Sequence, residues 1–536
     1  MDTKSSSLRV IQIISVIFAA IWIIAVGLDY FNKHPNYYVS FQYFKYPKLA
    51  LFVVSTILIL IWHYHYDKRT SWKIPVSGLT IGILGFIFSA SIAFAHKDYS
   101  FTDTSMTQVF SHLGWTWSII AFLWAIFMIL HSFGQYLFRM VLKKHLEENM
   151  LLNIAFGIMA FVFVLFTVGV FKALSPNAVL FILFVFALPN LFDLVKSFKS
   201  VLFKPIDIST FNPIGIFAFA FIVFFLILNF QSSIGPFPTG FDSRNFYINI
   251  SKLISDNGSL VTGFQPYNWS IFMAAGFLLF DTVELSLAIS FIPVVLVLMA
   301  SYQLGNKLLK IDGNKLMLVL AVFIVTPAIT NQMTVELKAD FGMLFFQVLI
   351  LYYAIQFFVK IENLTYGHGV KTNVKLLMPL IVLIGVLSGF ALGIKMINMF
   401  LVFALLILLW WDSKNKVAVL GILCFSLTLF LLTGIDDLSG LSKYHLGSDV
   451  IKYGLLLVAL VALIYSFIKF YQRTTLRLVV TTIYLFITGL MIVPWMIKNY
   501  SETKSLDPNS LMMGKEPGPN KTLNQMIRKY ERSKKN

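Results

Sequence analysis

The sequence predicts an all-α, polytopic transmembrane bundle of about 15 spans, each long enough to cross roughly 30 Å of hydrocarbon. Of its 536 residues 58% are hydrophobic and only 12% are charged, whereas a soluble domain carries about a quarter charged residues. Mean hydropathy is +0.79. Runs of about 18 or more apolar residues recur along the whole chain. A water-soluble core cannot hide that much apolar surface, so membrane residence follows.

Spans are expected near 8–28, 49–64, 74–96, 114–138, 151–172, 178–195, 211–231, 285–306, 316–331, 341–359, 376–393, 396–411, 417–434, 453–468 and 478–497. The first reads as an uncleaved span: it is too long for a signal-peptide core, and Asp29, Tyr30 and Phe31 stand where small residues would be needed. The single cysteine, Cys424, lies inside a later span, so no disulfide framework can form. The formal net charge of +17 does not call for a nucleic-acid partner. With the N-terminus inside, about 22 of the 42 Lys and Arg fall in cytoplasmic loops, about 11 in outer loops and about 9 in the tail, which is the bias of the positive-inside rule. The basic tail dissents, because fifteen spans put it outside. The chain divides into an N-terminal region of about six spans (1–205), a transmembrane module (206–500) and a polar basic tail (501–536).

Most outer loops are short, and the exception runs from Gln231 to about Glu284. It holds a charged cluster, FDSRNFY, then an amphipathic stretch, YINISKLISDNG, then an aromatic segment from Phe264 to Phe280. These are expected to form interfacial helices, with Tyr267 and Trp269 at headgroup depth. A long loop amid minimal ones is where function concentrates.

Four groups on the expected outer face can carry chemistry. Asp242, with Arg244 two residues on, is a carboxylate at a membrane mouth, suited to general-base work or to a metal, though a solvated loop acid reads the same. Glu336, Lys338 and Asp340 put three ionisable groups into five residues between two spans, a costly arrangement unless they pair or face a cavity. Lys395 interrupts an apolar stretch from about Leu376 to Trp411 that suits a tight hairpin; at the outer turn it would meet an anionic partner such as a lipid phosphate, or simply snorkel to a headgroup. Lys498 and Asn499 follow an interfacial Trp where the last span leaves the membrane, and either bind phosphate or end an ordinary aromatic belt. His63 and His65, with Asp67 and Lys68, read as interface residues more than as metal ligands, and Asp436 and Asp437 could bind a cation, though an exposed outer turn explains them about as well. The chain has no Walker A, dinucleotide-binding, HExxH or Cys/His metal motif, which disfavours ATP-driven transport within it.

The order of FDSRNFY, an acidic site between spans, SGFALGIK and VPWMIKNY resembles the GT-C superfamily of integral membrane glycosyltransferases, such as the protein O-mannosyltransferases and lipid A aminoarabinose transferases. The resemblance covers about residues 211–500. It implies a GT-C-like fold and sugar transfer from a polyprenyl-phosphate-linked donor to a lipid, glycan or protein acceptor. The reaction would take place on the outer face of a bacterial cytoplasmic membrane. It implies Asp242 as the catalytic or metal-associated carboxylate and Asp340 or Glu336 as the second acid. Arg244, Lys338, Lys395 and Lys498 would meet the donor phosphate, and participation of a divalent metal stays open. About six spans precede the matching part, and no large soluble domain follows it, both departures from the family pattern. The alternative is a transporter or flippase for a lipid-linked sugar or another amphiphile; a non-catalytic scaffold would have no need of the outer-loop charges.

Overall fold

Short polar residues and prolines open many of the helices. The computed structural model describes residues 78–89 in part, 106–142, 146–203, 212–234, 240–262, 265–362, 364, 370–412, 414–432 and 449–505. The expected spans at 8–28 and 49–64, most of 74–96, the tail beyond 505, and His63, His65, Asp436 and Asp437 lie outside these residues. In chain order the helices are α1 (Met106–Val141), α2 (Met150–Val170), α3 (Pro176–Ala187), α4 (Leu191–Phe203), α5 (Pro213–Ser233), α6 (Ile248–Asn257), α7 (Asn268–Phe280), α8 (Val283–Phe291) and α9 (Pro293–Gln303). They continue with α10 (Gly313–Val325), α11 (Pro327–Thr334), α12 (Asp340–Glu362), α13 (Val370–Ile394), α14 (Met399–Trp410), α15 (Lys416–Leu432), α16 (Asp449–Lys469) and α17 (Tyr471–Thr503). Asn149, Ser175, Asn212 and Asp312 each accept a hydrogen bond from a first-turn amide, capping α2, α3, α5 and α10. Pro176 and Pro213 stand in the first turns of α3 and α5, where a missing N–H costs nothing.

Nine helices among the described residues are long and apolar enough to cross a membrane, ten if one bent pair counts as a single span. The chain is therefore an all-α, multi-pass integral membrane protein. Each span expected from residue 114 onward coincides with one of these helices, with the bent pair, or with a shorter apolar helix at Met396–Trp410 or Lys416–Leu429. Two expectations need correction. The span expected at 316–331 is broken: α10 and α11 meet at 64°. Pro327 is the cause, since its ring pushes Thr326 out of the helical region to ψ 131°. The aromatic segment expected at the headgroup level is instead core. Trp269 is fully buried, Tyr267 is 4% exposed, and almost all of α7 is enclosed by protein.

The described chain forms two compact units, interleaved in sequence. Of the described residues, those within 1–120, 199–241 and 311–337 form the first unit. Within it α5 runs parallel to the α10–α11 pair. The Asn212 amide donates to Asn314 Oδ1 (2.8 Å) at one end, and Ser233 Oγ donates to the Met333 carbonyl (2.7 Å) at the other.

Of the described residues, those within 121–198, 242–310 and 338–505 form the second unit. Its core is an aromatic ladder. Phe161 of α2 meets Phe272 of α7, Phe163 of α2 meets Phe390 of α13, and Phe390 meets Phe346 of α12. Helices α13 and α17 touch almost backbone to backbone along Gly385 and Gly389, where a side chain would collide with Tyr484, Thr488 and Met491. Small residues at such a seam let apolar helices associate where no hydrophobic force separates lipid from protein.

A candidate site of paired carboxylates and lysines

Three of the four charged groups singled out in the sequence meet in the second unit. Lys338 Nζ lies 2.7 Å from Asp242 Oδ2 and 3.6 Å from Asp340 Oδ2, and Lys395 Nζ lies 2.7 Å from Asp340 Oδ1. The result is a chain of alternating charge, Asp242–Lys338–Asp340–Lys395, assembled from segments up to about 150 residues apart. Its members are graded in exposure: the Asp242 side chain is 44% exposed, Lys395 27%, Asp340 24% and Lys338 11%. The ion-pair chain is thus most accessible at Asp242 and most enclosed at Lys338.

Each member is held by local structure. Asp242 precedes a wide, π-helical turn, Ser243–Tyr247, that leads into α6. The Lys338 carbonyl accepts a hydrogen bond from Ser290 Oγ of α8 at 3.0 Å. Asp340 begins α12, where its negative charge suits the exposed amides of a helix N-terminus. Lys395 forms the turn between α13 and α14 in an extended conformation, φ −157° and ψ 126°, which is the hairpin expected there. Asn398, buried, pins that turn: its amide donates to the Ala391 carbonyl (2.6 Å) and its oxygen accepts from Gln347 Nε2 of α12 (2.7 Å).

Tyr247, at the end of FDSRNFY, lies under the Lys395 ammonium, 5.9 Å from nitrogen to ring centroid. Burial alone would pull the Lys395 ammonium down; the Tyr247 hydroxyl and the Asp340 carboxylate reverse that and hold it above the ordinary lysine range. Burial pushes the Tyr247 phenol up, with the Lys395 charge opposing. Both groups keep their protons at neutral pH.

The remaining expected residues are placed differently. Arg244 sits in the π-helical turn with an exposed side chain. Glu336 belongs to the first unit, where its carboxyl lies against Gly240; a Cβ there would come within 2.4 Å of it. The Gly240 amide donates to the Val335 carbonyl at 2.9 Å, so only glycine fits at this approach. Lys498 does not mark a helix end, since α17 continues to Thr503. It is 7% exposed, 2.7 Å from Glu502 Oε1, and flanked by the rings of Tyr267 and Trp495 at 6.0 and 5.7 Å. Its neighbour Asn499 is fully buried.

A bridge of buried polar groups ties this aromatic nest to the helix that carries Lys395. Trp495 Nε1 donates to Asn268 Oδ1 (2.8 Å), and Asn268 Nδ2 donates to the Phe390 carbonyl of α13 (3.2 Å), against Gly393. Replacing Trp495 with Phe leaves the Asn268 carbonyl unpaired in the core, at a cost of about 1–3 kcal/mol. The expected result is a lower thermal midpoint in detergent. No spacing signal marks Asn268 or Asn398: the first stands at the edge of an apolar run and the second just inside one.

A resident metal does not fit here. Among the described residues no three His, Cys, Asp or Glu side chains group closely enough to hold one. Asp242 and Asp340 each face an ammonium at 2.7 Å, a charge that a cation would have to displace. No protein-family model, curated protein or solved structure matches the chain.

Proposed function

We propose that the chain is a membrane glycosyltransferase of GT-C type, moving a sugar from a polyprenyl-phosphate-linked donor to an acceptor hydroxyl on the non-cytoplasmic face. The observation that carries this reading is the ion-pair chain from Asp242 to Lys395. It joins three of the four sequence segments that the resemblance singles out, VPWMIKNY being the exception, and its two ammonium groups are suited to a lipid phosphate whose tail lies in hydrocarbon.

The chain is neutral as it stands, with two acids and two lysines. A donor phosphate therefore enters by exchange, its oxygens taking over the Lys338 and Lys395 ammonium groups from the carboxylates. That exchange releases Asp242, the most exposed member, to accept a hydrogen bond from the acceptor hydroxyl. The acceptor oxygen bonds to the anomeric carbon, the bond from that carbon to the phosphate oxygen breaks, and the hydroxyl proton passes to Asp242. Polyprenyl phosphate leaves with the bonding pair, its charge met by the lysines.

Purified protein in liposomes, supplied with polyprenyl-phosphate-linked hexoses and an acceptor extract, tests the reading through release of free polyprenyl phosphate. Asp242→Asn should abolish release while membrane insertion is unchanged. Retained release in that variant removes Asp242 from the mechanism. The broken α10–α11 pair favours a second reading, a transporter for lipid-linked sugars, since broken helices recur in transporters. Counterflow of intact donor across the same liposomes, without cleavage, would select it.

A further inference from the structure

At the opposite end of the helices that carry the candidate site lies a second charged network, more deeply buried than the first. Arg473 Nη1 donates to both Asp412 oxygens, at 3.0 and 3.2 Å. Arg477 donates from Nη2 to Glu362 Oε1 (3.1 Å) and from Nη1 to the Leu409 carbonyl (2.6 Å), with its Nε 3.7 Å from Asp412 Oδ2. The side chains of Asp412 and Arg477 are 0% and 1% exposed. Arg473 and Arg477 precede the span expected at 478–497, where the sequence predicts a loop. Both instead belong to the first turns of α17, and a neutral cluster of Asn415, Ser466 and Thr474 adjoins them.

Buried ion pairs contribute little net stability compared with apolar residues of equal volume, because desolvation offsets attraction. Four ionisable groups at one junction, with Asp412 and Arg477 fully buried at its centre, therefore need another explanation, and their placement supplies it. Glu362 ends α12, which begins with Asp340. Asp412 follows α14, which starts just after Lys395 and Asn398. Arg477 lies in α17, whose far end carries Trp495 and Lys498. Each of these three helices is held by polar contacts at both ends.

We propose that the Glu362–Arg477–Asp412–Arg473 network is a positioning clamp. It sets the axial register of α12, α14 and α17, and through those rigid helices the geometry of Asp340 and Lys395 at the other end. The directional fork of arginine suits it to this task, because it fixes orientation as well as distance. The functional meaning of the clamp rests on the transferase reading, but its test does not require turnover.

Spin labels on Ile397→Cys and Tyr500→Cys, both on exposed positions at the site end, are placed in full-length protein carrying Cys424→Ser. Pulsed dipolar spectroscopy then reads the distance between the starts of α14 and the end of α17. Glu362→Gln should shift or broaden that distribution by about 2 Å or more, the scale of helix displacements at packed interfaces. Glu362→Asp keeps the charge, is the variant expected to fold if the first does not, and should give a smaller shift. A distribution unchanged in both variants overturns the proposal and leaves the network a local brace. Loss of transferase activity in the parent protein would affect neither outcome.

Discussion

Replacement of Lys338 by Met is expected to reduce donor turnover by about 100-fold or more, the usual effect of removing one preorganised charge from a site where negative charge develops. Lys338 is the only lysine of the chain that touches both carboxylates, at 2.7 Å to Asp242 and 3.6 Å to Asp340. Its side chain is 11% exposed, so its charge is poorly screened by water. Without it the two acids lose the charge between them, while Asp340 keeps Lys395 at 2.7 Å. Breaking a fully buried pair costs about 3–5 kcal/mol. Here Asp242 is 44% exposed and can be rehydrated, so the stability loss should be near the bottom of that range or below it. The variant should therefore fold and insert, yet fail to release polyprenyl phosphate. Lys338→Arg should recover only part of the rate, because a planar fork cannot occupy the site of a compact ammonium. Turnover of the Met variant within about threefold of the parent, on the same scale of one charge, would separate Lys338 from the chemistry.

The candidate site was legible because its members are expensive. Lys395 interrupts a run that is otherwise apolar, and Asp340 is one of three ionisable groups pressed between two spans; an ionisable group in either place has to find a partner. The sequence could say that partners exist but not which, since Asp340 and Lys395 are 55 residues apart. The clamp was not legible for a related reason. Arg473 and Arg477 lie where the positive-inside rule already expects cations, so nothing marked Arg477 as buried or either as partnered. Their acids Asp412 and Glu362 are 61 and 115 residues away. Trp269 was misread because a tryptophan beside an apolar run looks the same at a headgroup as in a core. The bend at Pro327 escaped because hydropathy registers the polarity of a proline but not its missing N–H. The helices themselves from residue 114 onward followed directly from apolar length, the one property that lipid imposes on every span.

Substitution of Gly389 by Val should have the largest effect on folding of any single change at the α13–α17 seam. A Cβ at this position would come within 2.6 Å of the Thr488 carbonyl oxygen and 2.5 Å of the Met491 Cβ. Neither can swing aside, since one is backbone and the other is the root of a side chain. The collision must be relieved by separating α13 from α17, and overpacking of this kind costs about 1–3 kcal/mol or more. Separation does not stay local. One turn further along α13, Gly393 lies against the Asn268 amide, which bridges to Trp495 of α17 at 2.8 Å. Two residues beyond Gly393 is Lys395, the last member of the charged chain. Gly389→Ala, the smallest possible insertion, should already lower the thermal midpoint in detergent, and Gly389→Val should leave little folded protein. Gly489, on α17 itself, has nothing within 4 Å of an added Cβ. Gly489→Ala should leave the midpoint unchanged or raise it slightly, because alanine favours a helix by about 1 kcal/mol over glycine. Equal losses at both positions would mean that the seam does not govern stability. A loss confined to Gly389 ties the fold of the second unit to the close contact that carries Lys395 to Asp340.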